Sequence, residues 1–189
     1  MINSANFNGV IADIKGTKDI RAILVKSMVS GKMPTVYTVL MKADIFYELD
    51  LCIGLDVVVL NATYWQENEK NRFRVDAKNQ IWTVLPETKD YSYMSFGGEV
   101  SFVEEESKAF LIHIKHKDKE KEIDYPLVVS KKIYQDISVD FGDKVLVNQA
   151  QMYMKDGKFR FRIPKKEQIS IIKKKSFDKG EIMARDKFI

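Results

Sequence analysis

The chain has 189 residues, 45% of them hydrophobic and 31% charged, with 31 Lys and Arg against 27 Asp and Glu. That apolar fraction can build a core, which argues against wholesale disorder, and no stretch approaches the ~18 uninterrupted apolar residues of a membrane-crossing helix. The single cysteine, Cys52, excludes an intrachain disulfide and a cysteine-cluster metal site; it points to a reducing cytoplasm, and Met1 to Val10 lack the basic start and apolar run of a signal peptide.

Short runs rich in β-branched and aromatic residues, separated by polar or glycine-containing breaks, predict strands. In chain order they are Asn8–Ile14, Ile20–Ser27, Thr35–Met41, Leu55–Trp65 and Arg72–Leu85, the last open to an interruption. After Pro86 to Ser95, read as a linker, come Gly98–Val103, Ala109–His116, Ile123–Val129, Lys144–Met154 and Lys158–Ile172. Between the third and fourth runs of each set, Ile45, Phe46 and Leu49, and then Ile133, Tyr134 and Ile137, recur at helical spacing and predict short helices near 43–49 and 131–137. Lys155-Asp156-Gly157-Lys158 suits a tight hairpin, because Asp-Gly tolerates positive φ; Glu67-Asn68-Glu69-Lys70 lacks the glycine and suits a looser turn.

The two sets are copies of one pattern. An offset of 88 lays Tyr37–Val84 on Tyr125–Ile172 without a gap, and 13 of those 48 positions are identical. Arg72-Phe73-Arg74 falls on Arg160-Phe161-Arg162, Gly54 on Gly142, and Gln80-Ile81 on Gln168-Ile169. An offset of 89 lays Phe7 and Gly9 on Phe96 and Gly98. We therefore expect a domain at 1–88, a second at 95–173 and a basic tail at 174–189, with no sheet running across both domains.

Strand, strand, strand, helix, strand, strand is the order of the OB-fold, a five-stranded Greek-key barrel. The chain resembles single-stranded-DNA-binding proteins of that fold. The resemblance rests on a helix, then Gly-x-x-Val-x-Val (Gly54 to Val59, Gly142 to Val147), then a hairpin into a final strand. It implies an all-β fold with short helices, two tandem OB-fold barrels and binding of single-stranded DNA, with RNA as an alternative, in replication, recombination or DNA transfer. Bacterial members carry an acidic tail where this chain reads Ala184-Arg185-Asp186-Lys187-Phe188-Ile189, so a phage or mobile-element type is the nearer expectation.

No catalytic, cofactor or metal constellation stands out. His113 and His116 fall on opposite faces of a strand and read as surface histidines. Cys52 reads as a small buried or half-buried residue, and Gly97-Gly98 as a turn or bulge. Glu104-Glu105-Glu106 reads as a solvated loop tip that would repel phosphate. Binding chemistry is better supplied. Residues 1–94 balance at 11 basic and 11 acidic, so the excess lies in 95–189, and nine cations fall between Lys155 and Lys175 against Asp156 and Glu167. Arg72 and Arg74, like Arg160 and Arg162, share one strand face while Phe73 and Phe161 turn to the core. Lys70, Lys158, Lys173 and Lys174 extend this basic set, which could equally be rim arginines in surface ion pairs. Base stacking falls to Trp65 and its counterpart Tyr153. Tyr37 and Tyr125 are open between core and barrel mouth, Tyr91 and Tyr93 between stacking on a strand and packing between domains, and Trp82, matched by Ser170, is read as packing. The rivals are a protein-interaction or structural OB-fold module and an accessory subunit of a replication or conjugation enzyme. A protein partner could also dock on the tail through Phe188 and Ile189.

Overall fold

The computed structural model describes residues 3–28, 34–67, 70–84, 91–118 and 121–173. The expected pattern of strands and short helices is present twice. The first set is β1 (Asn3–Gly16), β2 (Ile20–Ser27), β3 (Thr35–Lys42), α1 (Ala43–Glu48), β4 (Asp56–Glu67), β5 (Lys70–Arg74) and β6 (Ile81–Thr83). The second is β7 (Ser92–Glu105), β8 (Ala109–Asp118), β9 (Lys121–Ser130), α2 (Lys131–Ile137), β10 (Lys144–Lys155), β11 (Lys158–Arg162) and β12 (Ile169–Lys173). Asn68, Glu69, 85–90 and the tail 174–189, Lys174 included, lie outside the described residues.

Within the first set β1 pairs with β2, β2 with β3, β3 in parallel with β5, β5 with β4, and β4 returns to β1. β7, β8, β9, β11 and β10 repeat that circuit. This is OB-fold connectivity, and the fold is all-β. To pair on both sides, the first strand of each circuit must coil tightly. A Cβ built on Gly9 would collide with the Lys26 carbonyl, and one on Gly98 with the Lys115 carbonyl. The glycines therefore mark a close backbone approach, and Gly97-Gly98, expected as a turn or bulge, lie inside β7.

Two expectations are corrected. A single twelve-stranded sheet spans both sets, because β1 also pairs antiparallel with β7, from Asn3 opposite Phe96 to Phe7 opposite Ser92. Ser92 to Ser95 are consequently strand and not linker. The segment Ser4 to Asn8 carries serine and asparagine, poor strand formers, and is extended because its backbone is hydrogen-bonded on both sides.

The interruption left open in Arg72–Leu85 is present, and Lys158–Ile172, expected as one strand, is broken in the same way; both breaks have a side-chain cause. Gln80 accepts from the backbone N–H of Asp76 and Ala77, and Gln168 from that of Lys165, which holds a single 3-10 turn before β6 and β12. Their amide nitrogens donate to the carbonyls of Asn61 and Gln149, both in left-handed bulges of β4 and β10. The Asp156-Gly157 hairpin has φ of 51° and 75°, as its sequence demands. Alternation along β3 buries Thr35, Tyr37, Val39 and Met41. The core continues through both sets: Phe159 stacks parallel to Tyr37 at 5.6 Å and meets Tyr64 and Phe73 edge-on.

Candidate nucleic-acid interface

The hairpin registers fix what the outer surface presents. Arg72 lies opposite Trp65 and Arg74 opposite Thr63; Arg160 lies opposite Tyr153 and Arg162 opposite Gln151. Facing residues in such pairs are close enough for their side chains to touch. Each repeat thus sets an arginine beside an aromatic. Phe73 and Phe161 are fully buried, which leaves the flanking arginines pointing outward. Trp65 and Tyr153 are half-buried, and Tyr64 is the buried member of its pair.

The same rows continue across the neighbouring strands. Thr38 lies beside Arg72, one step back from the Val39–Phe73 pair; Leu24 faces Thr38, and Asp13 faces Leu24. In the second repeat Pro126 lies beside Arg160, His113 faces Pro126 and Phe102 faces His113. The second row therefore reads Phe102, His113, Pro126, Arg160, Tyr153, and every member is the counterpart of one in the first row. Phe102 is 55% exposed, and its ring lies 5.9 Å from that of His113. The sequence reading missed Phe102, His113 and Pro126. The β7 register shifts between Val100 and Phe102, so counting faces from Gly98 does not identify Phe102 as outward.

The electrostatics grade the cations. Arg74 is paired with Asp76 at 3.0 Å, and Arg160 with Glu106 at 2.9 Å. Arg162 donates to Gln151 at 2.5 Å. The Arg72 Nε is buried with no hydrogen-bond partner among the described residues. Lys70 and Lys158 are exposed at the mouths of the two hairpins, and Lys173 is exposed beside Lys144 at the end of β12. Burial pushes the Tyr153 phenol up, while Arg160 and Arg162 pull it down and Glu106 pushes it up. That places Tyr153 within the field of both arginines. Glu105 and Glu106 are not a free loop tip, because they hold Lys131 and Arg160.

Several sequence expectations fall elsewhere. Tyr37 and Tyr125 are fully buried, stacked on Phe7 and Phe96, and have no face for a base. Trp82 is not packed inside but 57% exposed on the edge strand β6, its indole N–H donating to Asn79. Cys52 is exposed, because the turn after α1 places it and Ile53 outward. Tyr91 and Tyr93 stack on each other at 6.2 Å at the start of β7. His113 is held by Asp124, Nδ1 to Oδ2 at 2.7 Å. Among the described residues no group of His, Cys, Asp and Glu could hold a metal ion, and no helix is long and apolar enough to cross a membrane.

A cavity of about 380 Å³ opens where the β4–β5 hairpin, through Gln66 and Asn71, meets the second row at His113, Pro126 and Arg160. A second, of about 370 Å³, lies beside Trp65 and Arg74 and is closed on one side by Ile123 of β9. Both rows thus lead into the seam between the repeats.

No protein-family description and no curated protein matches the chain. Among solved structures, a deletion mutant of the single-stranded DNA binding protein from Thermus aquaticus matches with a TM-score of 0.65 at 12% identity, over 94% of this chain and 97% of that one. Fission yeast Pot1 with ssDNA matches at a TM-score of 0.33 and 12% identity, over 99% and 90% of the two chains. A murine DNA binding protein bound with double-stranded DNA matches at 0.31 and 13%, over 94% and 100%. The Thermus likeness shows a shared fold over nearly the full length of both chains.

Proposed function

We propose that the protein binds single-stranded nucleic acid, DNA before RNA, and does so without catalysis. The observation that carries this is the duplicated row: in both repeats an outward arginine lies in register beside a half-buried aromatic. A single strand needs cations for its phosphates and flat rings for its bases, and each row offers both. The fold shared with the Thermus aquaticus single-stranded DNA binding protein supports a single strand over a duplex. On this reading the repeats are two OB-fold barrels, acting as a built-in dimer that lengthens the site and raises effective concentration. The proposed domains are 1–88 and 95–173, with β7 reaching back to Ser92 ahead of the second. Lys173 and the tail cations add salt-sensitive affinity, and the lone cysteine fits a cytoplasmic setting.

The test is a salt-dependent titration with single-stranded and duplex DNA and RNA. Binding to single-stranded DNA should weaken with salt by a slope near 0.7 per phosphate contacted. Absence of binding at low salt to strands of roughly 20–30 nucleotides, long enough to cover two OB-folds, would instead favour a protein-interaction module.

A further inference from the structure

The seam cavity has chemistry that a sequence-tolerant binder does not need. It lies between the first repeat's hairpin and the second repeat's row, and its volume, about 380 Å³, falls in the range of small-ligand sites. On one wall Asn71 Oδ1 accepts from the Tyr64 hydroxyl at 2.6 Å and from Gln66 Nε2 at 3.2 Å. These bonds fix both amides and leave the Asn71 Nδ2 donors and the Gln66 Oε1 acceptor uncommitted among the described residues. Across the cavity stands the Asp124 carboxylate, itself oriented by His113. Pro126 gives a flat apolar wall, and Arg160 a cation at the rim.

Resting on the single-strand reading, we propose that this cavity receives one unstacked nucleobase of the bound strand and reads its edge, with guanine preferred. Apart from the His113 ring and the cations Lys158 and Arg160, the walls present two acceptor groups, Gln66 Oε1 and Asp124 Oδ2, the oxygen that His113 also holds, beside one donor group, Asn71 Nδ2; Asp124 Oδ1 is buried. Guanine is the base whose pairing edge carries two donors, N1–H and N2–H₂, beside one acceptor, O6. Adenine and cytosine bring a single donor to that edge, and thymine a single donor between two acceptors. A base in a single strand has its pairing edge free, so it can enter without breaking a duplex. The cation at the rim would hold the adjoining phosphate.

The experiment compares an oligo-dT strand with the same strand carrying one central dG, dA, dC or deoxyinosine. The dG strand should bind about tenfold more tightly than oligo-dT, the scale of one well-made bidentate base contact. Deoxyinosine, which lacks the 2-amino donor, should fall between the two. Gln66→Ala and Asn71→Asp should each bring the dG-to-dT ratio towards one. Asn71→Asp keeps an acceptor for the Tyr64 hydroxyl while removing the donor, and circular dichroism and melting temperature check that both variants fold. Equal affinity for all five strands in the parent protein overturns the base-reading proposal and leaves the single-strand reading intact. A ratio unchanged in both folded variants overturns the cavity assignment. Failure of oligo-dT itself to bind overturns both.

Discussion

Ala5 lies opposite Met94 in the β1–β7 pairing, and the two residues are also each other's counterparts at the 89-residue offset. The flanking pairs, Asn3 with Phe96 and Phe7 with Ser92, exchange under the same correspondence. The junction is thus organised around a local pseudo-twofold axis, the arrangement of an isologous dimer contact made within one chain. The symmetry stops in the core. Phe159 of the second repeat reaches Tyr37 of the first, whereas its counterpart Asn71 bonds to Tyr64.

That asymmetric contact joins the cores energetically. Phe159→Ala should cost about 3–5 kcal/mol, the range for a buried phenylalanine. Calorimetry of the parent should give one cooperative transition; two separate transitions would mean that the repeats unfold independently despite the shared aromatic cluster.

Glu106 occupies Arg160 with a carboxylate where the proposed ligand would place a phosphate. Glu106→Gln should therefore tighten binding to single-stranded DNA at low salt and steepen the salt dependence. Arg160→Ala with Arg162→Ala should weaken binding more than Arg72→Ala with Arg74→Ala, because the second repeat carries the basic excess. Exposed arginines such as Arg74 and Arg162 contribute only ~0–1 kcal/mol to stability. Unchanged affinity and salt slope in both double variants would remove the arginines from the interface.

The two tryptophans can be separated by fluorescence. In a Trp82→Phe variant only Trp65 remains, and single-stranded DNA should quench it. Trp65→Ala should lose about 1–3 kcal/mol of binding, the usual contribution of one stacked base, while staying folded. Trp82 is exposed on an edge strand, so Trp82→Phe should shift the melting temperature little. An unquenched Trp65 whose removal only lowers the melting temperature would belong to the core.

Burial pushes the Tyr64 phenol well above its ordinary 10.0. A folded-state value above the unfolded one stabilises the protein fully below pH 10.0 and loses that contribution as pH climbs towards the raised value. Denaturation midpoints should accordingly fall above pH 10.0, and Tyr64→Phe should flatten that fall. Equal slopes in the parent and Tyr64→Phe would assign the alkaline loss to other groups.

The repeat made much of this legible. It carried the strand order, both helices, the inward Phe73 and Phe161, and the Arg–aromatic hairpins, because period-two alternation holds over those short strands. It did not carry Phe102 beside His113, since the preceding bulge changes which residues face outward. Nor did it show that Ser4 to Phe7 extend the strand expected at Asn8–Ile14; their extension comes from partners on both sides, not from local propensity. Trp82 and Cys52 were misplaced for a related reason. Residue type suggests burial, but an edge strand and a turn left both in solvent.

The two rows have diverged: where the first has Asp13 and Leu24, the second has Phe102 and His113. An exact twofold would accept a strand in either sense, because rotating the complex interchanges the two orientations. Once the halves differ, the orientations differ in energy. On the proposed reading, a bound strand therefore has a direction on this protein, its 5′ and 3′ ends assigned to particular repeats. A dye on one end of a short oligonucleotide should then lie consistently nearer Trp65 or nearer Tyr153.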